Sequence, residues 1–398
     1  MSRPVTVVAL AAVLTVATAV AGGVAADLGP APDASAVETV NRTNTSNVLR
    51  LPAINRSTLA DPDLDLSTAL SMQDRRTNWR LARYTVTESF EAAASDAGRL
   101  AVLEAAVARA EQAVARLRQD QRQALTAYRN GSADAETLLD RLGALQVSAR
   151  GLDRFATRIA ALNQGDAVPT DASVKNRLLR VRAELGMLTS PVRRIVADGV
   201  SGRATAPPLF VGVGEAGVTV STVQDDVFIH DTVRLDNFAD EPGTSNASEA
   251  IDRWATLYPD VWDDGRVDFT GLNGAYRAAL PFAGGELVSF LDASTLAIYS
   301  ETQSKTVADL PPGPPVTSVR EELVVTVNRT YPGGPLRVAF HTDTGAPLDG
   351  VVRVNGRRVG TTGADGVLWT VGPADQFAVT VDYGDRQIAV VVTPTTED

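Results

Sequence analysis

Leu100–Tyr128 reads LAVLEAAVARAEQAVARLRQDQRQALTAY, and its spacing decides the N-terminal half of the fold. Leu100, Leu103, Val107, Ala110, Val114, Leu117, Gln121, Ala124 and Tyr128 follow one another in steps of three and four, a heptad seam held for four repeats. Asn130-Gly131-Ser132 then breaks the helix, glycine permitting a left-handed end and Ser132 offering the next cap. A second seam runs through Leu138, Leu142, Leu145, Ala149, Leu152, Ala156 and Ile159. A third runs Val174, Leu178, Val181, Leu185 and Leu188, stopping at Ser190-Pro191, where proline can open a short new helix. Trp79, Val86 and Phe90 predict one more helix upstream. Short connections make neighbours antiparallel, so residues 61–203 read as a coiled-coil-like hairpin or bundle. Its longest arm is about 50 Å at 1.5 Å per residue.

Beyond Ala206 the period becomes two. Residues 209–213 and 218–223 read as a hairpin, and 227–235 as another strand. Ser248 is placed to cap a short helix carrying Ile251, Trp254, Ala255 and Tyr258. Strands over 275–282 and 286–291, joined at Gly284-Gly285, and a third near 295–301 complete a small α+β domain over 206–310. Pro311-Pro312-Gly313-Pro314-Pro315 reads as a stiff linker over 311–318. From 319 to 394, short strands at regular spacing (323–328, 336–341, 351–355, 367–371, 377–383 and 387–392) argue an Ig-like β-sandwich. The fold class is multidomain α+β.

Two of these stretches resemble known modules. Tyr276-Arg277-Ala278-Ala279-Leu280 followed by Leu287-Val288-Ser289-Phe290-Leu291-Asp292, after a helix, resembles the PepSY-type module of exported proteins. Thr344-Gly345-Ala346-Pro347-Leu348, Val352-Arg353-Val354-Asn355-Gly356 and Thr362-Gly363-Ala364-Asp365-Gly366 resemble carboxypeptidase-regulatory-like, transthyretin-type sandwiches, in which such residues form turns and strand ends. The whole layout is similar to that of exported proteins of halophilic archaea, a likeness that implies no activity.

The opening residues agree with export. Arg3 precedes an uncharged run from Pro4 to Ala26, which reads as a signal peptide over 1–26 cut near Ala21 or Ala26. The rival is an uncleaved anchor, because that run could just span a bilayer. Residues 27–60, rich in Pro, Asn, Ser and Thr, read as a flexible stalk. Six Asn-x-Ser/Thr triplets, at Asn41, Asn44, Asn55, Asn130, Asn246 and Asn328, are candidate glycan acceptors.

Composition limits the chemistry. There is no cysteine, hence no disulfide or thiolate metal site, and only His230 and His341 carry imidazole. Arg is far commoner than Lys, present only as Lys175 and Lys305, and this usage with abundant Asp suits a protein kept soluble in molar salt. Gly212-Val213-Gly214-Glu215-Ala216-Gly217 matches a dinucleotide fingerprint, but strand follows where a helix N-terminus is needed, so it reads as a hairpin turn. Asp260, Asp264 and Asp268 fall at ligand places of a calcium loop, but Trp262 and Gly271 occupy others, which favours a solvated acidic loop. Neither His230, beside Asp231, nor His341, near Asp343, accompanies a nucleophile elbow. No catalytic residue and no cofactor is expected.

Charge is divided unevenly along the chain. Residues 70–200 hold 20 basic and 15 acidic side chains, whereas 201–398 hold 13 and 27. This is either compensation between two parts that touch or a basic arm meant for an acidic partner: envelope protein or glycoprotein, anionic lipid, or a second copy. Molar salt cuts the Debye length to about 3 Å, so only contact pairs would matter there, and nucleic acid is disfavoured. The expectation is a non-enzymatic exported cell-envelope protein, extracellular or at the cell surface, acting through contacts of its helical arm and β modules. Membrane contact is expected only through the N-terminal segment, if that segment is uncleaved. Alternatives are an extracellular regulatory module for a protease and a hydrolase with its site in 206–310.

Overall fold

Five helices, each opened by a capped turn, form the first layer: α1 (Leu66–Ala92), α2 (Asp96–Arg129), α3 (Ala135–Asn163), α4 (Ala172–Leu185) and α5 (Pro191–Val200). Asp65, Ser95, Asp134, Asp171 and Ser190 each accept the backbone N–H three residues on, a contribution of about 1 kcal/mol apiece. Ser132 is not the cap of α3. Its hydroxyl donates back to Ala127 O, and Asp134 takes the role because Gly131, at φ 78°, turns the chain one residue pair further. All three seams are buried as spaced, apart from the half-buried Leu100 at the first turn. The α3 helix buries nearly its full length and touches α1, α2, α4 and α5. The computed structural model describes residues 39–42, 46–164, 171–239, 243, 245–262 and 267–395. The leader expected at 1–26 lies outside them. No described helix is long and apolar enough to cross a membrane.

The strands before α1 replace the flexible stalk expected there, while residues 27–38 and 43–45 of that stretch lie outside the described residues. β1 (Thr39–Arg42) and β2 (Ser46–Leu49) form a hairpin, and β3 (Arg56–Ala60) pairs antiparallel with β4 (Leu209–Val213). Polar composition hid a few well-placed apolar residues: Val48, Leu49, Leu51, Leu59 and Ala60 are all buried. β3 becomes the edge of one eight-stranded antiparallel sheet. With β5 (Gly217–Gln224), β6 (Val227–Arg234), β7 (Asp268–Leu272), β8 (Ala275–Phe282), β9 (Gly285–Asp292) and β10 (Ile298–Thr306), the order is β3-β4-β5-β6-β10-β9-β8-β7. The glycine fingerprint is the β4–β5 hairpin turn.

The helices therefore do not project as an arm. Leu209, Val211, Val213, Val218, Val220, Val233 and Tyr299 share one continuous core with them, so the bundle packs against the sheet. The 206–310 segment has a small core of its own and shares a second one with the helices. Period-two strands show alternate residues to opposite faces, and the second face is covered in two places. At the β8–β9 end, α6 (Ala247–Leu257) and α7 (Pro259–Trp262) pack Trp254, Tyr258 and Val261 against Ala278, Leu280 and Leu287. Asn246, not Ser248, caps α6, in a capping box with Glu249. At the β4–β6 end, Leu59, Phe210 and Phe228 join the core of the C-terminal sandwich.

That sandwich has two four-stranded sheets. One is ordered β11-β12-β13-β16, from β11 (Pro315–Arg320), β12 (Leu323–Asn328), β13 (Pro335–Thr342) and β16 (Val367–Val371). The other is β15-β14-β17-β18, from β14 (Val351–Val354), β15 (Arg357–Thr361), β17 (Phe377–Tyr383) and β18 (Arg386–Val392). The sandwich begins inside the segment expected to be linker. Pro315 starts an edge strand, where a missing N–H costs no ladder bond. β15 escaped the alternation test because its side chains are mostly polar. Asn355 (φ 47°) and Gly356 (φ 81°) nonetheless form the two-residue left-handed turn that folds it back on β14.

Candidate functional site

Part of the positive charge of the helical layer gathers in one place. Arg76, Arg80 and Arg83 follow steps of four and three on α1, so they share a face. Arg150 and Arg154 do the same on α3, and Arg194 of α5 and Arg203 just beyond it close the third side. Together with Trp79 they line a cavity of about 570 Å³ between α1, α3 and α5. A glycine makes this approach feasible. A Cβ on Gly151 would stand 2.4 Å from Trp79 Cδ1, so any larger residue would push α1 off α3. The Trp79 ring continues onto Phe155, 5.6 Å between centroids.

Seven arginines in this cleft face two carboxylates, Asp153 and Asp198. Asp198 is already bonded to Arg203. Among the described residues, Arg76, Arg80, Arg83, Arg150, Arg154 and Arg194 form no ion pair. Arg76 Nη2 is shut off from solvent and has no hydrogen-bond partner. Burial first, then the charges of Arg203 and Arg154, push the Arg76 pKa down, with Asp198 opposing. Nearby guanidinium groups are elsewhere consumed by structure, as where Arg75 donates to Ser148 Oγ at 3.1 Å and Arg158 to Thr87 Oγ1 at 2.8 Å. The cleft thus holds surplus cationic forks, able to grip an anion directly.

Two buried polar clusters join separate elements of the fold. Arg193 on α5 reaches Asp231 on β6 at 3.6 Å and donates to Gln121 Oε1 at 2.7 Å. Thr302 Oγ1 donates to Asp231 at 3.0 Å. Burial pushes the Asp231 carboxyl up, opposed by Arg193. On the other face of the sheet, Glu301 accepts the Leu49 N–H at 3.0 Å, the Tyr258 hydroxyl and Gln303 Nε2. Burial raises its pKa to about 7 against those stabilising bonds and the charge of Lys305. These contacts fasten β2 to the sheet.

Among the described residues, those singled out earlier take separate places in the fold. His230 and Asp231 are adjacent in β6, so their side chains point to opposite faces; His230 Nε2 meets Thr219 and Thr232 hydroxyls instead. His341 Nδ1 lies 2.8 Å from Thr342 O. Asp260 sits on α7, Asp268 on β7 pairs with Arg277 at 3.7 Å, and Asp264 lies outside the described residues. Asp292, from the PepSY-like stretch, binds the backbone of Ser294, Thr295 and Ala239, which makes it a turn anchor. Of the glycan candidates, Asn55 and Asn130 are exposed in turns. Asn246 is also exposed and gives only its Oδ1 and backbone N–H to the capping box, whereas Asn328 Nδ2 donates to Gly313 O while its Oδ1 accepts from Arg337. Asn41 falls on β1, and Asn44 lies outside the described residues.

Sequence reasoning found the basic half of the chain but not the cleft. The signal was present in the helical spacing of Arg76, Arg80 and Arg83, and of Arg150 and Arg154. Which helix faces which could not be read from it.

Comparison with known families gives three matches along the chain. Residues 1–205 match a domain of unknown function (DUF7096), 209–311 match a family of unknown function (DUF7094), and 315–390 match an archaeal fibronectin-III type-like domain. No curated protein and no solved structure matches the chain.

Proposed function

We propose, for a chain that belongs to the DUF7096 family through its first 205 residues, a non-enzymatic role in the cell envelope: holding an acidic partner in the arginine cleft of the helical layer. The single observation behind this reading is the cleft itself, seven arginines against two aspartates around a cavity of about 570 Å³. Uncompensated guanidinium groups brought together by three helices raise the energy of the unliganded protein, and an anionic partner relieves that cost. Export by the N-terminal segment, glycosylation, a coiled-coil character of the bundle and life in molar salt belong to the same proposal. They are supported by the apolar opening run, the Asn-x-Ser/Thr triplets, the heptad seams and the scarcity of lysine. Buried catalytic-type residues are engaged in structure, which favours binding over turnover.

The test is titration of the full chain with polyglutamate, a plain acidic probe. Binding should be saturable and should weaken at least tenfold in the charge reversal Arg80→Glu with Arg150→Glu, two exposed positions. Equal affinity in that variant would sink the proposal. N-terminal sequencing of protein from fractionated cells decides the export component.

A further inference from the structure

The cleft is not uniform. Arg76, Arg154 and Arg203 form its crowded corner: Arg76 feels the charges of both others, and its Nη2 is buried without a partner. Asp198, the carboxylate whose charge acts on Arg76, is taken by Arg203. We propose that this corner is a subsite for a tetrahedral oxyanion, the sulfate or phosphate ester of a glycan carried by the partner. This rests on the proposed function and names the chemistry that its cleft recognises.

Three arguments select that class. A sulfate or phosphate ester presents three terminal oxygens, enough to receive forks from three guanidinium groups, whereas a carboxylate offers two. The recess is of the size that encloses small ligands and sugar units, and a flat bilayer surface cannot enter it. Trp79 supplies an aromatic wall in the same cavity, against which the C–H face of a sugar ring can lie. In concentrated salt, only such direct contacts keep their strength.

The experiment is calorimetric titration of the full chain with a sulfated disaccharide and with the same disaccharide desulfated. Inorganic sulfate, inorganic phosphate and anionic phospholipid vesicles serve as further arms. The sulfated sugar should bind saturably and at least tenfold more tightly than the desulfated one. Arg76→Gln and Arg154→Gln should each weaken it at least tenfold. Arg116→Gln, on the exposed side of α2, should leave it unchanged. Arg154 is exposed, so its variant keeps the fold, and a thermal melt checks Arg76→Gln. Inorganic sulfate or phosphate competing with the sugar supports the subsite. Equal binding of both sugars, or indifference to Arg76→Gln and Arg154→Gln, overturns it. Vesicle binding that depends on Arg76 without sugar binding also overturns it, in favour of a lipid headgroup. If polyglutamate still binds through Arg80 and Arg150 while the sulfated sugar does not, the subsite fails and the broader function stands. Loss of both defeats both.

Discussion

Arg193 and Asp231 meet 3.6 Å apart at the seam between the helical layer and the eight-stranded sheet, each with almost no solvent exposure. One comes from the basic half of the sequence and the other from the acidic half. The charge division is thus partly internal compensation, realised where the two halves pack. Six further arginines of the helical layer line the cleft.

Breaking that pair should be costly. Asp231→Leu leaves the Arg193 guanidinium buried with only Gln121 and should destabilise the fold by about 3–5 kcal/mol. Replacing both residues with apolar ones (Arg193→Met with Asp231→Leu) should recover much of that loss. Urea denaturation of the single and double variants measures it, and a double variant no better than the single would refute the account.

Glu301 should make stability fall as pH rises. Its folded value of about 7 stands above the ordinary 4.5, so the folded state binds the extra proton between those limits. The favourable contribution is complete below about pH 4.5 and is lost by about pH 7, at most about 3 kcal/mol over the window. Glu301→Gln should flatten the dependence of Tm on pH from 5 to 8. A slope unchanged in that variant would assign the effect elsewhere.

Gly151 should tolerate no side chain. Gly151→Ala sets a methyl against the Trp79 ring and should cost about 1–3 kcal/mol, while weakening polyanion binding by shifting α1 against α3. Smaller residues at position 79 should partly rescue stability in Gly151→Ala, which a thermal melt can follow.

Gly333 is the corresponding joint for the sandwich. Its φ is +73°, a Cβ there would lie 2.4 Å from the Phe210 ring, and its carbonyl accepts the Ser221 hydroxyl. Gly333→Ala should loosen the sandwich from the sheet, so protease cleavage near the 311–315 junction should quicken while the sandwich strands stay protected. Unchanged cleavage would mean that this contact does not hold the two together.

Glycosylation, on the exported protein, should be selective. Glycopeptide mapping is expected to find Asn55 and Asn130 occupied and Asn328 bare, because the Asn328 amide is held between Gly313 and Arg337. Occupancy at Asn328 with bare Asn55 and Asn130 would contradict the geometry.

What the amino-acid sequence determined by itself was local. Helical steps of three and four buried Leu103 through Tyr128, and period-two alternation placed β4 to β6 and most sandwich strands. Turn residues such as Asn355-Gly356 act through backbone sterics, which also need no distant partner. The polar edge elements, β3, β7, β11 and β15, showed no such pattern, because an edge strand is specified by the neighbour it pairs with. Tertiary structure alone decided that Arg56–Ala60 joins the sheet as an edge strand, and that α1, α3, α5 and the turn after α5 bring seven arginines to one cleft. The physical reason is range. Periodicity fixes which side of an element is apolar, but convergence of charges depends on how separate elements pack, and that packing is set by contacts such as Gly151 beneath Trp79.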